Sequence, residues 1–153
     1  MNEIIGGAIA AVIGAVGYAI VGLYLEHRRD KAKRLTIVDA LITETEENLT
    51  ICETYIGQEK WCLSPYRLEA YHAYKGELFF LPEQLRVSLV GTALIMETCN
   101  GVIQTVRLKE GSGQSFDKEA IPPQEQFNER LKSILKELQG WKTGHTGFLS
   151  IFH

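Results

Sequence analysis

From Ile4 to Leu25 the chain runs for 22 consecutive residues without a charged side chain, and no other feature restricts its fold as much. At about 1.5 Å of rise per residue, a helix of that length spans roughly 33 Å, which matches a hydrocarbon core of about 30 Å with slight tilt. The run predicts a single transmembrane helix within residues 1–25. A cleaved signal peptide fits less well: Met1-Asn2-Glu3 supplies no positive n-region, the apolar stretch exceeds an ordinary h-region, and no persuasive small-x-small site precedes the polar sequence. A buried core helix would be shorter and amphipathic, whereas this one is apolar all round.

The flanks set the orientation. No Lys or Arg lies upstream of the run, while Arg28, Arg29, Lys31, Lys33 and Arg34 crowd residues 26–34 just downstream. Positive residues stay on the cytoplasmic side, so the amino terminus is expected outside and everything after residue 25 in the cytoplasm. The same five cations suit anionic headgroups of the lipid bilayer, at about 1 kcal/mol each. Within the run, Gly6, Ala10 and Gly14 recur every four residues with Gly22 further along, beside a second row of Gly7, Ala11, Ala15 and Ala19. Rows of small residues let helix backbones approach closely, which points to self-association or to docking on a larger membrane partner.

Residues 26–153 hold all 16 basic residues and 18 of the 19 acidic ones, and the net charge of the whole chain is −3. With no long like-charge run, a nucleic-acid partner is not expected. No proline interrupts residues 4–64, and Leu35, Val38, Ile42, Thr45, Leu49, Cys52 and Ile56 alternate spacings of 3 and 4. They form a seam of three heptads, opposite which Asp39, Glu44, Glu46, Glu47 and Glu53 read as a solvated face. This helix is expected to end near Gly57. Ser64-Pro65 predicts the start of a short helix stopping at Gly76, and Leu78-Phe79-Phe80-Leu81 a buried connector or short strand before Pro82. Leu85, Leu89, Thr92, Met96, Cys99, Ile103 and Val106 predict a second long helix. After a loop at residues 110–115, a final helix opens at Pro122-Pro123, buries Phe127, Leu131, Ile134 or Leu135, and Leu138, and stops at Gly140. The expected class is all-α, with one amino-terminal transmembrane helix, a small up-down cytoplasmic bundle over residues 35–140 whose core is the first helix against the third, and an aromatic tail at 141–153.

Leu41-Ile42-Thr43-Glu44-Thr45-Glu46-Glu47-Asn48-Leu49, Tyr71 to Leu81-Pro82 and a helix ending in Asn100 give residues 4–106 a pattern that resembles small uncharacterised prokaryotic membrane proteins. The resemblance implies one amino-terminal span and a cytoplasmic helical hairpin, with Asn48 and Asn100 as core polar residues, and implies no activity. In this sequence such residues are intelligible as hydrogen-bonded register devices.

Motifs for chemistry are missing. Cys52, Cys62 and Cys99 form no CxxC pair, and Cys62 with His72 falls short of four zinc ligands. His72 has no nucleophile or carboxylate in a recognisable motif around it, and Gly111-Ser112-Gly113 lacks the lysine of a phosphate loop. Neither catalytic residues, a bound metal nor a cofactor is expected, and the chain reads as no enzyme. Two functions are compatible with the pattern. One is a membrane-anchored structural or interaction protein, such as an accessory subunit of a larger membrane complex. The other is a ligand-sensing module with an aromatic pocket among Trp61, Tyr66, Tyr71, Tyr74, Phe79 and Phe80.

Overall fold

Leucine, methionine and small residues at alternating spacings of 3 and 4 demand helices that bury one stripe each, and helices are what form. The computed structural model describes residues 2–57, 64–111 and 124–146. Its elements are α1 (Asn2–Gly57), α2 (Glu69–Tyr74), a 3-10 helix (Lys75–Phe80), α3 (Glu83–Gly111) and α4 (Gln124–Thr146). No strand occurs among the described residues. The chain divides into two units, Met1–Thr36 and Ile37–His153.

The first unit belongs to α1. From Ile13 to Leu25 its large side chains are bare: Ile13 is 67% exposed, Tyr18 85% and Leu23 68%. The side chains of residues 1–12 lie outside the described residues.

The second unit is a helical bundle built from the end of α1, the connector at residues 64–82, α3 and α4. Ile37, Val38 and Leu41 of α1 meet Leu85 and Leu89 of α3 and Ile134 and Leu138 of α4 in one cluster. Cys52, Met96, Cys99, Phe127 and Leu131 meet in the other. Rising numbers in α1 and α3 pair with falling numbers in α4, so α1 and α3 run parallel and α4 antiparallel to both. The connector supplies the missing return: Tyr66 and Leu68 lie in the second cluster, Leu78 and Leu81 in the first. An up-down-up-down order results, in which the most extensive backbone approach between long helices is that of α3 and α4, rather than α1 against α3 as the matching seams predict; α1 joins them through the shared side-chain clusters.

The seam of α3 is buried throughout at Leu85, Leu89, Thr92, Met96, Cys99, Ile103 and Val106, and that of α4 at Phe127, Leu131, Ile134 and Leu138. In α1 the expected seam is displaced. Val38, Thr45 and Cys52 are buried, but the positions between them are taken by Leu41 and Asn48, with Glu44 alongside, while Ile42 and Leu49 are half-buried and Ile56 is exposed. Glu44 therefore leaves the solvated face assigned to it; Asp39, Glu46, Glu47 and Glu53 remain there.

Three boundaries also differ. Residues 64–68 are not helical, so Ser64-Pro65 opens no helix and α2 begins only at Glu69. The Leu78–Leu81 connector is mostly 3-10 helix, leaving Phe79 76% exposed, and Leu81 turns extended (φ −81°, ψ 151°), as a residue before proline prefers. Arg86 N–H then donates to Pro82 O at 3.0 Å and α3 starts. Finally, α4 continues through Gly140 to Thr146. A mid-helix glycine costs about 1 kcal/mol, which later packing offsets: Trp141 lies against Phe80 at 5.2 Å and stacks on His145 at 3.8 Å. Of the loop expected at 110–115, Glu110 and Gly111 lie within α3; residues 112–115, Pro122-Pro123 and the tail beyond Thr146 lie outside the described residues.

Candidate functional site

A non-helical segment inside a helical bundle, and the first turn of the helix that follows it, have backbone groups that no neighbouring strand or helical turn pairs, and each one left unpaired is costly. Residues 66–71 meet this with side chains from two helices. Asn100 of α3 donates from Nδ2 to Tyr66 O at 2.9 Å and accepts Tyr66 N–H on Oδ1 at 2.7 Å. Asn48 of α1 makes the same pair of hydrogen bonds to Arg67, donating to its O at 2.8 Å and accepting its N–H at 2.6 Å. One turn earlier, Glu44 accepts the N–H of Ala70 on Oε2 at 2.6 Å and that of Tyr71 on Oε1 at 3.0 Å. Glu69 accepts Leu68 N–H at 3.1 Å, and His72 N–H donates to Leu68 O at 2.9 Å.

Glu44, Asn48 and Asn100 thus form a clamp that holds the connector's main chain and fixes its register between α1 and α3. Asn48 is buried as expected, whereas Asn100 is half-buried, and both spend their amides on the connector's backbone. What sequence reasoning missed is the carboxylate. Its signal was the spacing of four between Glu44 and Asn48, which stacks them on one face, together with a Ser-Pro segment that has no partner strand.

Burial pushes the Glu44 carboxyl above its ordinary range, against the downward pull of the Ala70 and Tyr71 amides. Burial likewise raises the Tyr71 hydroxyl and both the Cys52 and Cys99 thiols, which disfavours a thiolate. Around the clamp, Arg67 lies 3.7 Å from both Glu47 and Glu69, and His72 3.4 Å from Glu97; all are well exposed and contribute little. Among the described residues no group of three or more His, Cys, Asp or Glu side chains is placed to hold a metal ion. The arrangement holds a chain segment and carries one titratable group.

Of the aromatic candidates, Tyr71, Tyr74 and Phe80 pack against the first cluster, and Tyr71 also borders the second. Tyr66 is buried edge-on against Phe127 at 5.3 Å, Phe80 packs on Trp141, and Phe79 faces solvent. Trp61 and Cys62 lie outside the described residues.

In the first unit, Arg28, Arg29, Lys33 and Arg34 are exposed and Lys31 is half-buried. At 100° per residue these five positions distribute around the helix as a collar rather than along one stripe. Gly14 and Gly22 have nothing within 4 Å of a notional Cβ. Gly6 and Ala10 lie on α1, their surroundings outside the described residues.

Within α3, Glu83–Lys109 is long and apolar enough to cross a membrane by length and composition, with 39% of its apolar stretch buried inside the protein. A core helix meets the same criterion, and the stripe from Leu85 to Val106 packs as one. Comparison with protein-family models, with curated proteins and with solved structures returns no match.

Proposed function

We propose that the protein is a membrane-anchored structural or interaction protein, a helical bundle held at the inner face of a membrane by residues 4–25. The observation that carries the reading is the bare apolar surface of α1 from Ile13 to Leu25, where Tyr18 is 85% and Leu23 68% exposed, followed at once by the basic collar at 28–34. Such a surface is unfavourable in water and needs a hydrocarbon environment or a partner. The bundle closes its own core from residue 37 onward, so it does not require α1's apolar part for burial. In this reading the amino terminus lies outside, the collar meets anionic headgroups, and the small-residue row at Gly6, Ala10, Gly14 and Gly22 associates with a second copy or another membrane helix. The bundle then acts as the cytoplasmic face of an assembly, as an accessory subunit does.

The test is alkaline carbonate extraction of membranes carrying the full chain or an Ile13→Arg/Val21→Arg variant. The parent is expected in the pellet and the variant in the supernatant, since each arginine near the middle of a span costs about 2.5–3.5 kcal/mol of insertion. Release of the parent by carbonate refutes the anchor, and equal retention of both moves it away from residues 4–25.

A further inference from the structure

The chain contains ten threonines, all helical, and nine of them donate their hydroxyl to the carbonyl four residues back: Thr36, Thr43, Thr45, Thr50, Thr54, Thr98, Thr105, Thr143 and Thr146. Thr92 does not. Its side chain is 2% exposed, and its Oγ1 is fully buried without a protein partner. A hydroxyl left so is costly, and the local alternative that serves the other nine was open to it.

Thr92 lines a small cavity of about 20 Å³ between α1, the connector, α3 and α4. Glu44, Thr45, Asn48 and Tyr71 contribute to the same wall, and Leu41, Leu89 and Met96 to the apolar remainder. The volume suits one water molecule, and a water in such a place needs two to four polar partners. Those partners can be counted. An ionised carboxylate offers about four acceptor positions, and the Ala70 and Tyr71 amides use two of Glu44's. Thr45 spends its proton on Leu41 O at 2.7 Å and keeps its acceptor positions, while both ends of the Asn48 amide are engaged by Arg67.

We propose that this cavity is a binding site for a single water molecule, which bridges the Thr92 hydroxyl of α3 to the Glu44 carboxylate of α1. The water donates to Glu44 and exchanges a hydrogen bond with Thr92, which explains why Thr92 alone forgoes its own helix. It also gives a carboxylate taken out of solvent one retained hydration contact, at the point where α1, α3 and the connector meet.

The test uses the isotope-labelled full chain in detergent micelles. Water-selective nuclear Overhauser spectroscopy is expected to show a long-lived water near the Thr92 side chain and the Tyr71 amide, preserved in Thr92→Ser and lost in Thr92→Val. Thr92→Val keeps the side-chain shape and removes the hydroxyl. If the water is bound, this variant loses about tenfold in its folding equilibrium constant, because a partner of a buried water and of Glu44 is gone. If the cavity is dry, it removes an unpaired hydroxyl and the chain becomes at least as stable as the parent. Absence of the water signal in the parent, or a Thr92→Val chain no less stable than the parent, overturns the proposal.

Discussion

Replacing Asn48 with leucine isolates the energy of the clamp, because the two side chains are similar in volume and Asn48 is 1% exposed. The exchange removes both bonds to Arg67, at 2.8 and 2.6 Å, and leaves one N–H and one C=O of the connector without their partner. Each orphaned group costs about 1–3 kcal/mol when buried, and these two are only partly so, which places the loss at about 2–4 kcal/mol. With a urea dependence of about 2 kcal/mol per molar, the unfolding midpoint of the bundle is expected to fall by about 1–2 M. Circular dichroism and tryptophan fluorescence of the full chain in mild detergent follow the transition, with half-buried Trp141 reporting on the end of α4. Asn128 is the control: it is 9% exposed, yet its Oδ1 has no protein partner. Asn128→Leu gives up no bond at that oxygen and is expected to shift the midpoint by less than about 0.3 M. Equal shifts at the two positions would refute the argument, since they would reduce both asparagines to ordinary core volume.

Three further outcomes are expected. Gly140→Ala stabilises the bundle by about 0.5–1 kcal/mol, because the site is mid-helix and open around a Cβ; a loss in thermal midpoint shows that the helix ends there after all. Because burial raises the Glu44 carboxyl in the folded state, the stability it contributes is complete below the ordinary glutamate range and is lost as pH rises through the raised value; Glu44→Gln should flatten the fall of the urea midpoint as pH rises above the ordinary glutamate range, and an unchanged slope contradicts the assignment. In a membrane-association assay, Gly14→Ile weakens self-association by about 1 kcal/mol while Val16→Ile does little, and equal signals from both mean that the glycine row faces lipid.

How much of this was legible in the sequence depended on whether apolarity and burial coincide. In α3 they do, so seven positions from Leu85 to Val106 could be named from spacing alone, and α4 follows the same logic. In α1 they part company. Glu44 and Asn48 are buried because they serve another segment's backbone, and a pattern built on hydrophobicity shifts the seam to Ile42 and Leu49. The same partnership explains the missed start of the short helix: the N–H groups of Tyr66 and Arg67 are satisfied by asparagines distant in sequence, so nothing drives residues 64–68 into helix. Gly140 misled because a local stop signal is weaker than the packing of Trp141 beyond it. The clamp pairing itself involves partners 19 to 34 residues apart, which no local pattern encodes.

The clamp has a consequence for how the protein tolerates change. Glu44, Asn48 and Asn100 grip main-chain amides and carbonyls, groups that every residue except proline presents identically. These bonds are therefore indifferent to side-chain identity: Tyr66 and Leu68 are constrained by the core they fill, but exposed Arg67 is free to drift so long as it does not become proline. The three gripping side chains have no such latitude, since aspartate in place of either asparagine surrenders a donor and glutamine displaces the pair of bonds by a methylene. Variation along this chain is thus distributed unequally across a single contact: one side is written in the backbone and can be respelled, the other is written in three side chains and cannot.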